Sequence, residues 1–153
     1  MTTTKKTTKK SASSKKQEMI KTDNEGIKVI PLGGYSEVGR NCVAIQIKDE
    51  VFILDMGLAI DKYIEYTESE EYDDAQVDGQ TLIDIGAAPD INLLGDLKKN
   101  VKAILLTHAH LDHIQAVPYL ANEFDAPLYG TPFTTEIVKA NTFGERKPLK
   151  SRL

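Results

Sequence analysis

Val101-Lys102-Ala103-Ile104-Leu105-Leu106-Thr107-His108-Ala109-His110-Leu111-Asp112-His113 decides how this chain is read. Its first six residues are apolar except for Lys102 and have the length of a strand, a pattern that suits burial on both faces of a sheet. The turn that follows collects all three histidines of the protein, His108, His110 and His113, with Asp112 among them. Neutral imidazole and carboxylate are good ligands for zinc and related divalent ions. A strand that stops in an irregular turn splays neighbouring side chains in different directions. His108 and His110 can then converge on one ion while Asp112 and His113 turn towards a second. Two ions roughly 3.5–4 Å apart can stabilise both the attacking and the leaving oxygen in phosphoester hydrolysis. A lone histidine in a loop is ordinarily a surface residue, but three with an aspartate behind a strand point to a metal site.

Downstream of the cluster, Pro118 sits where an early helical residue is tolerated. Val117, Ala121 and Phe124 fall on one face of a helix reaching about residue 124. Pro127-Leu128-Tyr129 reads as a short strand, Thr131-Pro132 as an N-cap and first helical position, and Gly144 as the stop of that last helix. Upstream, Ile27 to Ile30 alternates like a strand that Pro31 and the pair Gly33-Gly34 break. Residues 41–47 and 51–54 are two more strand-like runs, and Lys48-Asp49-Glu50 between them is short enough for a hairpin turn. Asp55-Met56-Gly57 ends the second run and puts a carboxylate at a strand terminus. Residues 81–97 add a short helix. Strands with helices between them predict an α/β layered fold, and no internal repeat is present.

Charge divides the chain. Residues 1–21 hold seven lysines against one acid, leaving twelve basic and twenty-two acidic side chains in the remainder. The Thr-, Lys- and Ser-rich tail, residues 1–25, has almost nothing to bury and is expected to be disordered. It reads as a solubilising leader or, more specifically, as a tether for polyanions such as RNA through counterion release. Residues 26–153 then form one domain, within the usual size of a single core. Inside it, residues 61–78 carry eight acids against one lysine, with Tyr63, Tyr66 and Tyr72 interspersed. No ligand spacing organises those acids, so the stretch reads as an exposed acidic insertion or lid. Cys42 is the only cysteine, which excludes an internal disulfide and favours a cytoplasmic location. No apolar run approaches the ~18–20 residues of a membrane span, and no signal-peptide core follows Met1.

The spacing His-x-His-x-Asp-His, at His108, His110, Asp112 and His113, is the signature of the metallo-β-lactamase superfamily. Leu54-Asp55-Met56-Gly57 resembles that family's earlier motif, and Pro31-Leu32-Gly33-Gly34-Tyr35-Ser36-Glu37-Val38-Gly39-Arg40-Asn41 looks like the opening of the ribonuclease J group within its β-CASP branch. These glycines lack the spacing of a dinucleotide-binding loop and suit tight turns instead. The resemblance covers residues 26 to about 147. It implies an α/β fold, the N-terminal half of a metallo-β-lactamase αββα sandwich, truncated. It implies a metal-dependent RNA hydrolase working from the 5′ end, with two zinc ions in the complete site. His108, His110, Asp112 and His113 would be metal ligands, Asp112 would also orient water as the catalytic residue, and Asp55 would orient a ligand histidine from behind. A carboxylate capping a turn is the other reading of Asp55.

The sequence departs from the group at Ala109 and Gln115, where glycine is usual. It also has no histidine after His113, whereas the family adds further ligands downstream. The chain is therefore expected to offer at most two ligands per ion, against the usual three of a catalytic zinc, and to behave as a fragment with an exposed sheet edge. Two other functions stay open: a metallo-β-lactamase-fold hydrolase acting on a thioester, lactam or small phosphodiester, or a non-catalytic product that binds RNA. The partners expected are RNA and either a second copy or another chain supplying the missing half-domain, with no membrane.

Overall fold

The computed structural model describes residues 26–69, 77–144 and 148–150. The lysine-rich tail at 1–25 and the centre of the acidic stretch at 70–76 lie outside the described residues.

A five-stranded sheet organises the rest, in the order β1-β2-β3-β4-β5. Strand β1 (Ile27–Gly33) pairs antiparallel with β2 (Cys42–Ile47), which makes an antiparallel hairpin with β3 (Glu50–Leu54). The hairpin turns through Lys48, whose φ of 54° lies in the left-handed region. Strands β4 (Val101–Leu105) and β5 (Leu128–Tyr129) continue the sheet in parallel, Leu54 standing opposite Leu105 and Leu105 opposite Tyr129. This is the α/β architecture expected of the N-terminal part of the sandwich.

Two strand expectations change. Pro31 does not break β1: the strand runs on to Gly33, with Pro31 opposite Val43. β1 is an edge strand, and an edge tolerates a residue without an N–H. β4 is not buried on both faces either, because Lys102 and Leu105 are exposed. Among the described residues, helices cover one side of the sheet.

The covering layer follows from capping and spacing. Helix α1 (Ile60–Thr67) occupies the start of the acidic stretch, which is thus a helix there and not a loop. Ile60, Tyr63 and Tyr66, three residues apart, lean together against the core and hold it in place. The single helix expected at 81–97 is two elements. Helix α2 (Gly79–Asp84) starts at Asp78, whose carboxylate accepts from Thr81 N at 2.8 Å. A 3₁₀ segment (Ile91–Asn100) starts at Asp90 and is kinked at Gly95, φ 51°. Past β4 come α3 (Leu111–Ile114), α4 (Val117–Leu120) and a 3₁₀ turn (Ala121–Glu123), shorter pieces of the helix expected there, with Val117, Ala121 and Phe124 buried as expected. Helix α5 (Pro132–Gly144) begins where Thr131 Oγ1 accepts from Thr134 N at 3.2 Å.

Candidate metal centre

Strands β3 and β4 are parallel neighbours, so the residues after Leu54 and after Leu105 emerge at the same edge of the sheet. From β3 comes Asp55, in left-handed backbone at φ 59° and only 7% exposed. Its own N–H donates to Leu105 O at 2.9 Å, which ties it to the end of β4. From β4 comes the segment 107–113. Its return is fixed by Met56 N donating to His113 O at 2.7 Å and Leu58 N to Leu111 O at 3.2 Å. Gly57 lies against this return so closely that a Cβ there would sit 1.6 Å from Asp112 O. No other residue fits.

The Asp55 carboxylate is the hub. Its Oδ1 accepts from Thr107 N at 2.8 Å and from the Thr107 hydroxyl at 3.0 Å. Its Oδ2 lies 2.8 Å from the same hydroxyl and 2.8 Å from His113 Nδ1. The Thr107 hydroxyl is also 2.9 Å from His108 Nδ1. A hydroxyl has one proton to give, and the carboxylate, already accepting from a backbone N–H, is the acceptor for it. The network therefore assigns an Nδ1–H to His108, donated to Thr107, and an Nδ1–H to His113, donated to Asp55. In a neutral ring with that tautomer the lone pair sits on Nε2. Of the two readings of Asp55, orientation of a histidine has direct contacts here, and the turn-capping reading is met as well through Thr107 N.

The ligand-type side chains stand close together. The ring of His108 is 4.5 Å from that of His110 and 4.1 Å from that of His113, centre to centre. Asp112 Oδ2 is 3.6 Å from His113 Nε2. His110 is exposed, while His113 is 24% exposed at its side chain. A cleft of about 290 Å³, bordered by Tyr35, Asn41, Leu54, Asp55 and His113, opens beside them. A larger cavity of about 450 Å³ under Asn122, Phe124, Pro127 and Lys150 has no histidine in its lining.

Imidazole nitrogens and one carboxylate suit zinc in kind. In number they fall short: among the described residues no three His, Cys, Asp or Glu side chains are placed to hold an ion together. The cluster has the right donors and an incomplete set of them.

Two contributors escaped the sequence reading. Thr107 relays between Asp55 and His108, and its only signal was its place before the first histidine. Asn41 Nδ2 donates to Asp112 O at 3.0 Å and to Asp112 Oδ2 at 3.0 Å, and lies 3.3 Å from His113 Nε2. Both residues that depart from the glycine pattern make contacts. Gln115 Oε1 accepts from Asn141 Nδ2 at 2.8 Å, tying α3 to α5, and Ala109 packs against the core. Cys42, buried beneath the cleft, has its thiol pushed up by burial first and by the neighbouring Asp55 charge second.

Residues 35–149 match the family described as the metallo-beta-lactamase superfamily. The chain is 41% identical over 121 residues to Ribonuclease J of Methanocaldococcus jannaschii, covering 79% of this chain and 26% of that protein. It is 41% identical over 120 residues to Ribonuclease J of Pyrococcus abyssi, covering 78% of this chain and 26% of that one. To Ribonuclease J 2 of Staphylococcus aureus it is 36% identical over 123 residues, 80% of this chain and 19% of the relative. The chain thus spans about a quarter or less of the length of these relatives. Among the described residues no helix is long and apolar enough to cross a membrane.

Proposed function

The chain belongs to the metallo-beta-lactamase superfamily, and from that premise we propose that it is the metal-holding part of a zinc-dependent RNA hydrolase of the ribonuclease J type, working from the 5′ end in the cytoplasm. The observation that carries this reading is the Asp55–Thr107–His108–His113 network, which engages two neighbouring imidazoles through Nδ1 and leaves Nε2 of each outside it. His108, His110, Asp112 and His113 would hold two zinc ions, which supply Lewis acidity at the phosphoryl oxygen and the attacking water when bound. Asp55 keeps the Nδ1 proton of His113 in place and so fixes which ring nitrogen is basic. Asp112, with its side chain 40% exposed, would orient the attacking water. The remaining ligands come from outside the described residues, from other parts of a longer polypeptide or from a second chain. The similarity to proteins named Ribonuclease J supports RNA as substrate over a thioester or lactam. The domain layout belongs to the same proposal: a lysine-rich tail at 1–25 that holds RNA, and a catalytic half-domain from residue 26 with an acidic insertion at 61–78.

A tagged copy expressed from the protein's own locus tests this. The recovered product is expected to release mononucleotides from 5′-monophosphorylated RNA and to lose that activity on His110→Ala. Cleavage of a thioester with no action on RNA would overturn the proposal. A second reading, a non-catalytic RNA-binding product, is favoured by the incomplete donor set. Zinc stoichiometry separates the two, since two tightly held ions per molecule of the recovered product are incompatible with the non-catalytic reading.

A further inference from the structure

The loop between β1 and β2 starts at Gly34, carries a further glycine at Gly39 and ends on Asn41. It is not arranged to cradle an anion, because the side chain it presents to the centre is an amide already engaged with protein. We infer that the loop exists to aim Asn41, and that Asn41 is a positioning residue that sets the carboxylate of Asp112 and shields Nε2 of His113 until an ion takes its place. The inference rests on the metal-centre reading of the histidine cluster and names a residue that acts through two of its members.

An amide NH2 has two protons, and three acceptors surround Asn41 Nδ2. Asp112 O and Asp112 Oδ2 are each at 3.0 Å, and His113 Nε2 is the longest at 3.3 Å. The two shorter bonds clamp Asp112 at backbone and side chain together, which fixes the rotamer of its carboxylate and leaves Oδ1 free. The longest is the one an incoming ion would break, and the amide proton it releases still has Asp112 to bind. The backbone of Asn41 is anchored separately. Its N–H donates to Asp112 O at 3.0 Å, and its carbonyl accepts from Gly57 N at 3.1 Å. Removing the side-chain amide therefore leaves the loop attached.

The glycines fit this purpose. Gly34, at φ 85°, lies so near Asn41 that a Cβ would come within 2.5 Å of its Oδ1. Gly57 allows Asp112 a similarly close approach. Asn41 and Asp112 meet because both neighbours lack side chains.

The test uses the whole chain with its histidine rings labelled for nitrogen NMR, with and without zinc. In zinc-free protein, Asn41→Ala should move the His113 Nε2 resonance and leave that of His108 in place, since only His113 touches the amide. On titration with zinc, Asn41→Ala should weaken binding by about tenfold, the scale on which partners behind metal ligands act. In an Asp112→Ala background the same change should cost less than about twofold, because the residue it positions is gone. An unchanged His113 resonance, or equal effects of Asn41→Ala with and without Asp112, overturns the inference while leaving the metal centre standing. If His108→Ala and Asp112→Ala also leave zinc binding unchanged, the metal centre itself fails and this inference falls with it.

Discussion

The two faces of the sheet carry the same kind of side chain in opposite surroundings. On the helix side, Cys42, Ala44, Val51, Ile53 and Ile104 are at most 2% exposed. On the other side, the register lines up Ile27 with Ile47, Val29 with Ile45, Ile45 with Phe52, and Leu54 with Leu105. Those residues are half-buried or open, with Ile27 at 44%, Ile47 at 42%, Leu105 at 37% and Tyr129, the neighbour of Leu105 in β5, at 57%. A sheet built to face water would alternate apolar with polar residues, as antiparallel sheets with one wet side do. This one is apolar on both. One face supplies the fold's stability through burial, and the other has the composition of an interior with nothing from the described residues over it. The candidate metal centre sits at the ends of β3 and β4, in the middle of the sheet.

The contrast sets an order of expected effects. Ile53→Ala removes a fully buried side chain from the covered face and should cost about 2–5 kcal/mol in urea unfolding. Asp55→Ala, at the end of β3, strands Thr107 N–H and His113 Nδ1–H and should cost about 1–3 kcal/mol, with the imidazole resonances of His108 and His113 both shifting. Cys42 reports the covered face through its thiol. Its proton is bound more tightly in the folded protein than in the unfolded chain, where a thiol ionises near 9.0, so the unfolded state gains more from alkaline solution. Stability should therefore hold below about pH 9 and fall as pH rises beyond it. A Cys42→Ala variant should lose that fall, and alkylation of the wild-type thiol at pH 8 should track unfolding and not simple exposure. The smallest effect belongs to the open face. Ile47→Thr with Leu105→Thr should change stability by about 0.5 kcal/mol or less at each site, while lowering binding of a hydrophobic dye and concentration-dependent association in sedimentation. A loss there as large as that of Ile53→Ala would mean that the open face is covered after all.

Much of this was legible because the signals were local. The hairpin of β2 and β3, the strand before the histidines, the short β5 and the Thr131-Pro132 start of α5 all rest on alternation, turn length or caps within a few residues. The readings that changed needed a neighbour to decide them. Pro31 could stay in a strand only because β1 lies at the sheet edge. Residues 60–67 became a helix because Ile60, Tyr63 and Tyr66 had a core to lean on, despite the acids around them. The strand β4 looked doubly buried because its composition is that of a covered strand, whereas covering depends on other elements.

The histidine cluster shows the same division. The sequence alone determined the donors and their company: three histidines and an aspartate after a strand, with a carboxylate ending another and a glycine-rich loop upstream. Residue type and spacing are enough for that, because they decide which atoms can bind an ion. Only the tertiary structure decided what holds each donor. Asp55 and His113 are fifty-eight positions apart and 2.8 Å distant, and Asn41 reaches Asp112 across seventy-one. Contacts of that kind form only when parallel β3 and β4 end together and two glycines let backbone meet backbone. No local pattern encodes them.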